Sequence, residues 1–181
     1  MARDGKRLFF ALRPNTQVRE RMVALQKGLL SGTKIRAVSA ENLHMTLVFV
    51  GKVADQQIPD LSQCADKIQI NPFEMLLDRC GHWRRPQICW LGCQPGIGPL
   101  ERLVDDLKAR LNDCLELKLD ERFVPHVTLA RKIRLALPER QFEPIPWFVN
   151  DFHLMESVSG AKGVSYRSLA KWPLASRSAG V

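Results

Sequence analysis

Apolar runs of strand length and a few helical stripes divide this chain into elements of both kinds. Residues 6–12 form an apolar run after two basic positions and predict a first strand. Pro14 then suits the first position of a helix, where its missing N–H costs nothing. Val18, Met22, Leu25 and Leu29 follow in one helical stripe, and Gly28 and Gly32 bracket its end. Residues 35–38 predict a short strand and residues 43–50 (LHMTLVFV) a longer one. Residues 55–68 predict a second helix, with Ile58, Leu61, Ala65 and Ile68 on one side and Pro59 tolerated in its first turn. Two strands, 73–80 and 87–93, are expected on either side of a basic turn or short extra strand over 81–86. Leu100, Leu103, Val104, Leu107 and Leu111 make the strongest helical stripe, with Pro99 near its start. A strand over 123–132 and a proline-punctuated connection over 138–146 come next. Strands over 147–157 and 164–172, joined by a hairpin loop over 159–163, complete the pattern. Residues 176–181 have little to bury and are expected to form a disordered tail. Strands adjoining through loops, with a few helices packed outside, indicate an α+β fold.

The pattern also repeats. The strand at Phe9–Phe10–Ala11–Leu12 runs into Pro14 and a helix, and the strand over 88–93 runs into Pro95 and another. Pro14 precedes His44 by 30 residues and Pro95 precedes His126 by 31. Each histidine opens the same pattern, His-x-Thr-Leu, as His44–Met45–Thr46–Leu47 and His126–Val127–Thr128–Leu129. Alternate side chains of a strand share a face, so each triplet sets an imidazole and a hydroxyl side by side. An internal duplication would place the two pairs in equivalent positions on two lobes facing a central cleft. The expected architecture is therefore one bilobal domain over 1–181, built of two antiparallel sheets related by a pseudo-two-fold axis, with the helices outside.

Bulk properties narrow the class. A chain of 181 residues, 45% hydrophobic and 25% charged, has the makeup of an ordinary globular protein with a real core. Its longest apolar stretches are strand-length, so no transmembrane span is expected. The opening residues lack the apolar core of a signal peptide, which points to the cytoplasm. Five cysteines, an odd number without dense spacing, argue against a disulfide framework. The net charge of +8 fits a polyanionic or nucleotide ligand, although basic proteins need not bind nucleic acid specifically.

A lone strand histidine is commonly a hydrogen-bonded structural residue; the duplicated placement is what gives these two weight. Imidazole exchanges its proton near neutrality, so one neutral and one protonated ring can serve as base and acid. Hydrolysis of a phosphodiester needs both, and the hydroxyls of Thr46 and Thr128 can bond the non-bridging oxygens as charge develops. No metal or cofactor is needed by this design. Cys80, His82, Cys89 and Cys93 are possible zinc ligands, but their spacing is not C-x2-C and their segment reads as two strands. Nucleophile-elbow, P-loop and dinucleotide-binding fingerprints are absent.

The paired motifs resemble the signature of the two-histidine (LigT-like) phosphoesterases. The likeness extends to Arg7–Leu12, Asn42–Leu43–His44, Phe49–Val50–Gly51, Arg84–Arg85–Pro86, Phe123–Val124–Pro125–His126 and Tyr166–Arg167–Ser168–Leu169. The resemblance implies a bilobal fold with the motifs lining a central cleft. It also implies opening of an RNA 2′,3′-cyclic phosphate to a 2′-phosphate, with 2′-5′ ligation as the minor reverse reaction. By carry-over His44 would be the proton donor and His126 the proton acceptor, a direction the sequence leaves open. Arg131 would contact phosphate. Strict alternation puts it on the face of Val127 and Leu129, so that role needs a bulge after Thr128, the alternative being a solvated strand-end charge. Phe9, Trp90 and Tyr166 are candidates for base stacking or for plain core packing. Arg84 and Arg85 are candidates for the RNA backbone. His82 departs from the family's apolar residue and either reaches the cleft or caps a turn. Rival readings are a phosphodiesterase for small cyclic nucleotides or cyclic ADP-ribose phosphate, and a non-catalytic RNA- or nucleotide-binding module. Nothing in the sequence requires more than a monomer.

Overall fold

Expected and observed elements agree over most of the chain, and their disagreements are local. The structure is a computed structural model that describes residues 5–115, 119, 122–134, 142–161 and 163–175. The expected tail and residues 138–141 of the proline-punctuated connection lie outside the described residues. In order, the elements are β1 (Gly5–Leu12), α1 (Thr16–Leu30), β2 (Met45–Ala54), α2 (Ile58–Asp66), β3 (Phe73–Trp83), β4 (Ile88–Cys93), α3 (Gly98–Leu115), β5 (His126–Arg131), β6 (Ile145–Val149), β7 (Asp151–Gly160) and β8 (Gly163–Pro173). Short 3-10 turns at Ala40–Asn42 and Asp55–Gln57 precede β2 and α2.

Helix α1 begins later than the proline suggests. Asn15 caps it by accepting from the Val18 N–H at 2.9 Å, so Pro14 stands outside the first turn. A side-chain acceptor satisfies one of the orphan N–H groups at a helix start, which proline has no means to do. The buried stripe is Val18, Met22, Gln26 and Leu29. Gln26 tolerates this place because its amide donates to Val38 O (2.9 Å) and Leu129 O (2.7 Å). The short strand expected over 35–38 is reduced to one bridge, Ala37 to Ala130, with the Val38 N–H donating to Leu129 O. The strand expected over 147–157 is two strands, β6 and β7, parted at Asn150 and lying near opposite ends of the sheet. Pro146, which lacks a ladder donor, is accommodated because β6 is an edge strand.

All eight strands form one antiparallel sheet in the order β6-β3-β4-β5-β2-β1-β7-β8. The two expected sheets are its halves, β5-β4-β3-β6 and β2-β1-β7-β8. The first half reads outward from the centre as the second does, strand for strand, which is the anticipated pseudo-two-fold. They meet where β2 pairs with β5 through Met45 and Val127, both fully buried. Helix α1 follows β1 yet packs beside β6, and α3 follows β4 yet packs beside β2, so each half's helix lies against the other half. Helix α2 packs on α3 and β8, and Trp172 of β8 donates to Asp66 at its end (2.6 Å). The principal core lies between these helices and one sheet face, centred on Met22, Met45, Leu61, Leu103, Leu107, Leu111, Val127 and Leu129. At about 2 kcal/mol for each buried aliphatic side chain, that layer is the main stabilising term.

The cysteine expectation needs correction. There is no framework, but Cys64 of α2 and Cys114 of α3 form one disulfide. The cross-link was hidden because its partners lie 50 residues apart and meet only when the two helices pack. Among the described residues no helix is long and apolar enough to cross a membrane.

Candidate active site

The Met45–Val127 pair decides the geometry of the site. Both side chains point into the core, so their neighbours His44, Thr46, His126 and Thr128 all fall on the opposite, open face. In an antiparallel register this pairing sets Thr46 across from His126, and His44 across from Thr128. The two sequence motifs, 82 residues apart, thus become one cluster at the middle of the sheet.

Each imidazole is held in the same way. His44 Nδ1–H donates to the Asn42 carbonyl at 2.7 Å, and His126 Nδ1–H donates to the Val124 carbonyl at 2.8 Å. With Nδ1 committed as donor, Nε2 of the neutral ring carries the lone pair. Thr46 Oγ1 donates to that atom of His44 at 3.2 Å. Aromatic rings brace both. Tyr166 packs edge-on to His44, with centroids 4.7 Å apart, and Phe9 lies 5.0 Å away beneath it. Trp83 packs edge-on to His126 at 4.8 Å and leans on Trp90 at 5.3 Å. Asn42 brings Tyr166 into place: its side chain donates to Val164 O (2.8 Å) and accepts from the Tyr166 N–H (3.2 Å).

The site is electropositive and partly desolvated. Burial pushes the His44 pKa down from 6.5 to about 4; the Asn42 carbonyl works against this, and Arg131, His126 and Arg13 add to it by repulsion. Burial likewise lowers the His126 pKa, opposed by the Val124 carbonyl and reinforced by Arg131. Both rings are therefore neutral at pH 7 when the cleft is empty, and an anion placed between them would favour their protonated forms.

Arg131 reaches this field because β5 carries a bulge after Thr128. Trp90 pairs with Thr128 and Cys89 with Ala130, leaving Leu129 as the extra residue. Leu129 and Ala130 are consequently both buried, and exposed Arg131 returns to the side of His126 and Thr128. The same bulge recurs in β2, where Ala11 pairs with Thr46 and Phe10 with Val48, leaving out Leu47. The residue equivalent to Arg131 is then Phe49, which is 66% exposed. Sequence reading gave Phe49 no place in the site, nor did it give one to Trp83, Asn42 or Arg13. The signal for Phe49 was available: it stands five residues after His44, as Arg131 stands five after His126.

The other predicted residues separate. Phe9 is 3% exposed and wedged among His44, Phe49 and Tyr166, so it has no open face for a base; it buttresses the histidine instead. Trp90 lies over Gly81 and Gly92, where an added Cβ would come within 2.5 Å and 3.2 Å of its ring. Tyr166 is half-buried against His44. Arg84 and Arg85 are exposed in the turn between β3 and β4. His82 does not reach the cleft; its Nε2–H donates to Ile133 O at 3.1 Å. Among the described residues no three His, Cys, Asp or Glu side chains gather as a metal set. The fourth histidine, His153, belongs to a separate network, with Nδ1 bonded to Ser168 (2.9 Å) and Nε2 to Asp151 (3.0 Å).

The chain is similar to known proteins over nearly its whole length. Residues 12–90 match the family model described as LigT like Phosphoesterase. The chain is 30% identical over 176 residues to the RNA 2′,3′-cyclic phosphodiesterase of Escherichia coli (strain K12), covering 94% of this chain and 98% of that one. It is 28% identical to the RNA 2′,3′-cyclic phosphodiesterase of Archaeoglobus fulgidus, covering 90% and 97%. The crystal structure of E. coli LigT complexed with 3′-AMP superposes with a TM-score of 0.81 at 29% identity, over 95% of this chain and 99% of that one. An open sheet face with two duplicated His–Thr pairs, matched over nearly the whole chain by such relatives, places this protein in the LigT-like phosphoesterase family.

Proposed function

We propose that this protein is an RNA 2′,3′-cyclic phosphodiesterase that opens the cyclic phosphate at an RNA 3′ end to leave a 2′-phosphate. The observation that carries the reading is the pair of imidazoles, each tied through Nδ1 to a backbone carbonyl and each beside a threonine across the Met45–Val127 seam. His126 Nε2 takes a proton from water as its oxygen attacks phosphorus. The bond from phosphorus to the 3′-oxygen breaks, and His44 Nε2–H protonates the departing oxygen. The Thr46 and Thr128 hydroxyls and the Arg131 guanidinium hold the non-bridging oxygens while charge builds on them. The bound phosphodiester supplies the negative charge that makes protonated His44 attainable despite its low pKa in the empty site. The exposed ring of Phe49 offers a face to the terminal base, with Tyr166 and Trp90 at the margins. With a 5′-hydroxyl in place of water, the same base and acid join a cyclic end to it as a 2′-5′ linkage, the bond from phosphorus to the 3′-oxygen again breaking. Both His–Thr pairs come from one chain, so a monomer suffices.

The relatives named RNA 2′,3′-cyclic phosphodiesterase support the substrate, and the complex of E. coli LigT with 3′-AMP supports a nucleotide in the cleft. The test is phosphorus NMR of a short RNA with a 2′,3′-cyclic end, incubated with enzyme and EDTA. The expected result is a 2′-phosphate signal that His44→Ala and His126→Ala each slow by roughly two orders of magnitude or more. A cyclic signal untouched by the wild-type enzyme would sink the reading. Activity lost in EDTA and restored by zinc would overturn the metal-independent mechanism.

A further inference from the structure

Beyond Arg131 three backbone segments lie side by side, and they carry cations with no opposing charge. Residues 34–38 join β5 on one side through the Ala37–Ala130 bridge, which puts Arg36 across from Arg131. On the other side Ile88 pairs with Arg131, and the Ile133 N–H donates to Gln87 O, drawing in the turn that carries Arg84 and Arg85. The three segments contain Lys34, Arg36, Arg84, Arg85, Arg131, Lys132 and Arg134, and none of them contains an aspartate or glutamate. All seven side chains are exposed, and none makes a side-chain hydrogen bond or ion pair among the described residues.

Elsewhere several basic residues are matched: Lys6 with Asp55, Arg21 with Glu143, Arg167 with Glu156 and Lys171 with Asp151. Folding alone would favour dispersing like charges, so such a concentration points to a polyanionic partner. The backbone there is also held in unfavourable shape. Gln87 and Lys132 both adopt left-handed conformations, at φ 65° and 62°. A non-glycine residue is unfavourable in that region and persists only where surrounding contacts over-determine it. Here those contacts are the Ile133–Gln87 bond and the His82–Ile133 bond, which lock the two turns together. The patch is continuous with the catalytic cluster, because Arg131 belongs to both.

We propose that Lys34, Arg36, Arg84, Arg85, Lys132 and Arg134 seat the phosphodiesters on the 5′ side of the terminal nucleotide, so that the preferred substrate is an RNA strand rather than a mononucleotide. This rests on the cyclic phosphodiesterase reading and specifies the substrate class. Adjacent strands are about 5 Å apart, so the three segments present a basic band roughly 10 Å wide leading away from the histidines. Phosphate binding of this kind carries affinity without base preference and weakens steeply with salt.

The experiment compares kcat/KM for uridine 2′,3′-cyclic phosphate and for an octaribonucleotide with the same cyclic end, across potassium chloride concentrations. Anisotropy of a labelled octaribonucleotide 3′-phosphate measures binding separately from turnover. The proteins are wild type, Arg84→Ala/Arg85→Ala, Lys132→Ala/Arg134→Ala, and the control Lys67→Ala/Arg102→Ala, which removes two exposed charges from α2's end and α3. Wild type should favour the octamer at least tenfold at low salt. Each test variant should lower the octamer-to-mononucleotide ratio about tenfold. It should also flatten the log–log salt dependence of binding by about 0.7 for every phosphate that is no longer neutralised. The control should keep the wild-type ratio and slope. A wild-type ratio near one, or a ratio and slope unmoved in both test variants, overturns the proposal. If wild type turns over neither substrate yet loses octamer affinity in the test variants, the catalytic reading fails while the RNA seat stands. If it turns over neither and the variants bind normally, both fail.

Discussion

At the scale of single residues, the electropositive surroundings of the two imidazoles make the site's pH behaviour checkable. In the proposed mechanism one ring is neutral and the other protonated. Because both pKa values lie below 6.5 in the empty cleft, the optimum of kcat/KM, which reports the free enzyme, should fall on the acid side of 6.5. The optimum of kcat should lie higher, because the bound phosphodiester offsets Arg131 and Arg13. Arg131→Gln removes a repulsive charge from both rings, so it should move the kcat/KM profile toward alkaline pH while lowering its height. An unmoved or acid-shifted profile would show that Arg131 does not act on the histidines. Stability follows the same sign. His44 titrates near 6.5 in the unfolded chain and near 4 in the fold, so the unfolded state binds the proton first and stability falls as pH drops through that window. Between pH 7 and 4.5 the loss from His44 is about 2 kcal/mol. Urea midpoints of wild type and His44→Asn should therefore converge on acidification. The pairing of each imidazole with a hydroxyl was legible from the sequence, since side chains two apart on a strand share a face whatever the tertiary fold. The burial of the rings, and thus their pKa values, was not.

At the scale of elements, the duplicated bulge after each threonine is what turns an ordinary strand into half of the site. It returns Arg131 and Phe49 to the open face while keeping Leu47, Val48, Leu129 and Ala130 in the core. Nothing in composition marks it, because the inserted Leu47 and Leu129 are as apolar as their neighbours and the strands read as uninterrupted. The glycines of β3 and β4 matter at the same scale. A methyl at Gly81 would sit 2.5 Å from the Trp90 ring, so Gly81→Ala should push Trp90 toward Trp83 and disturb His126. We expect a loss of about 1–3 kcal/mol in stability from overpacking. We also expect a fall in kcat, measured with tryptophan fluorescence as the report on the rings. Adding Trp90→Leu should restore stability. If Gly81→Ala keeps wild-type kcat and fluorescence, the aromatic brace does not position His126.

For the whole molecule, the decisive feature is the narrow seam between the halves. Met45 and Val127 are the registered pair joining β2 to β5, and the helices that cross between halves reinforce it. Val127→Ala should cost about 2 kcal/mol, as should Val53→Ala at the far end of β2, since both valines are buried. Only the former should also reduce kcat several-fold, because it loosens the distance between the two His–Thr pairs. Equal kcat losses in the two variants, compared at matched folded fraction, would argue that the seam has no special role.

The sequence by itself determined the α+β class, most strand and helix positions, the internal repeat and the four side chains of the two His–Thr pairs. Each rests on local periodicity or on a motif, and both survive any global arrangement. Tertiary structure decided that two sheets run together as one, and that residues 147–157 divide between distant strands. It also decided that Cys64 meets Cys114, that Phe9 is a buttress, and that seven exposed cations share one patch. Those outcomes depend on register, on bulges and on which surfaces pack together. They are set by contacts between residues far apart in the chain, which no local pattern encodes.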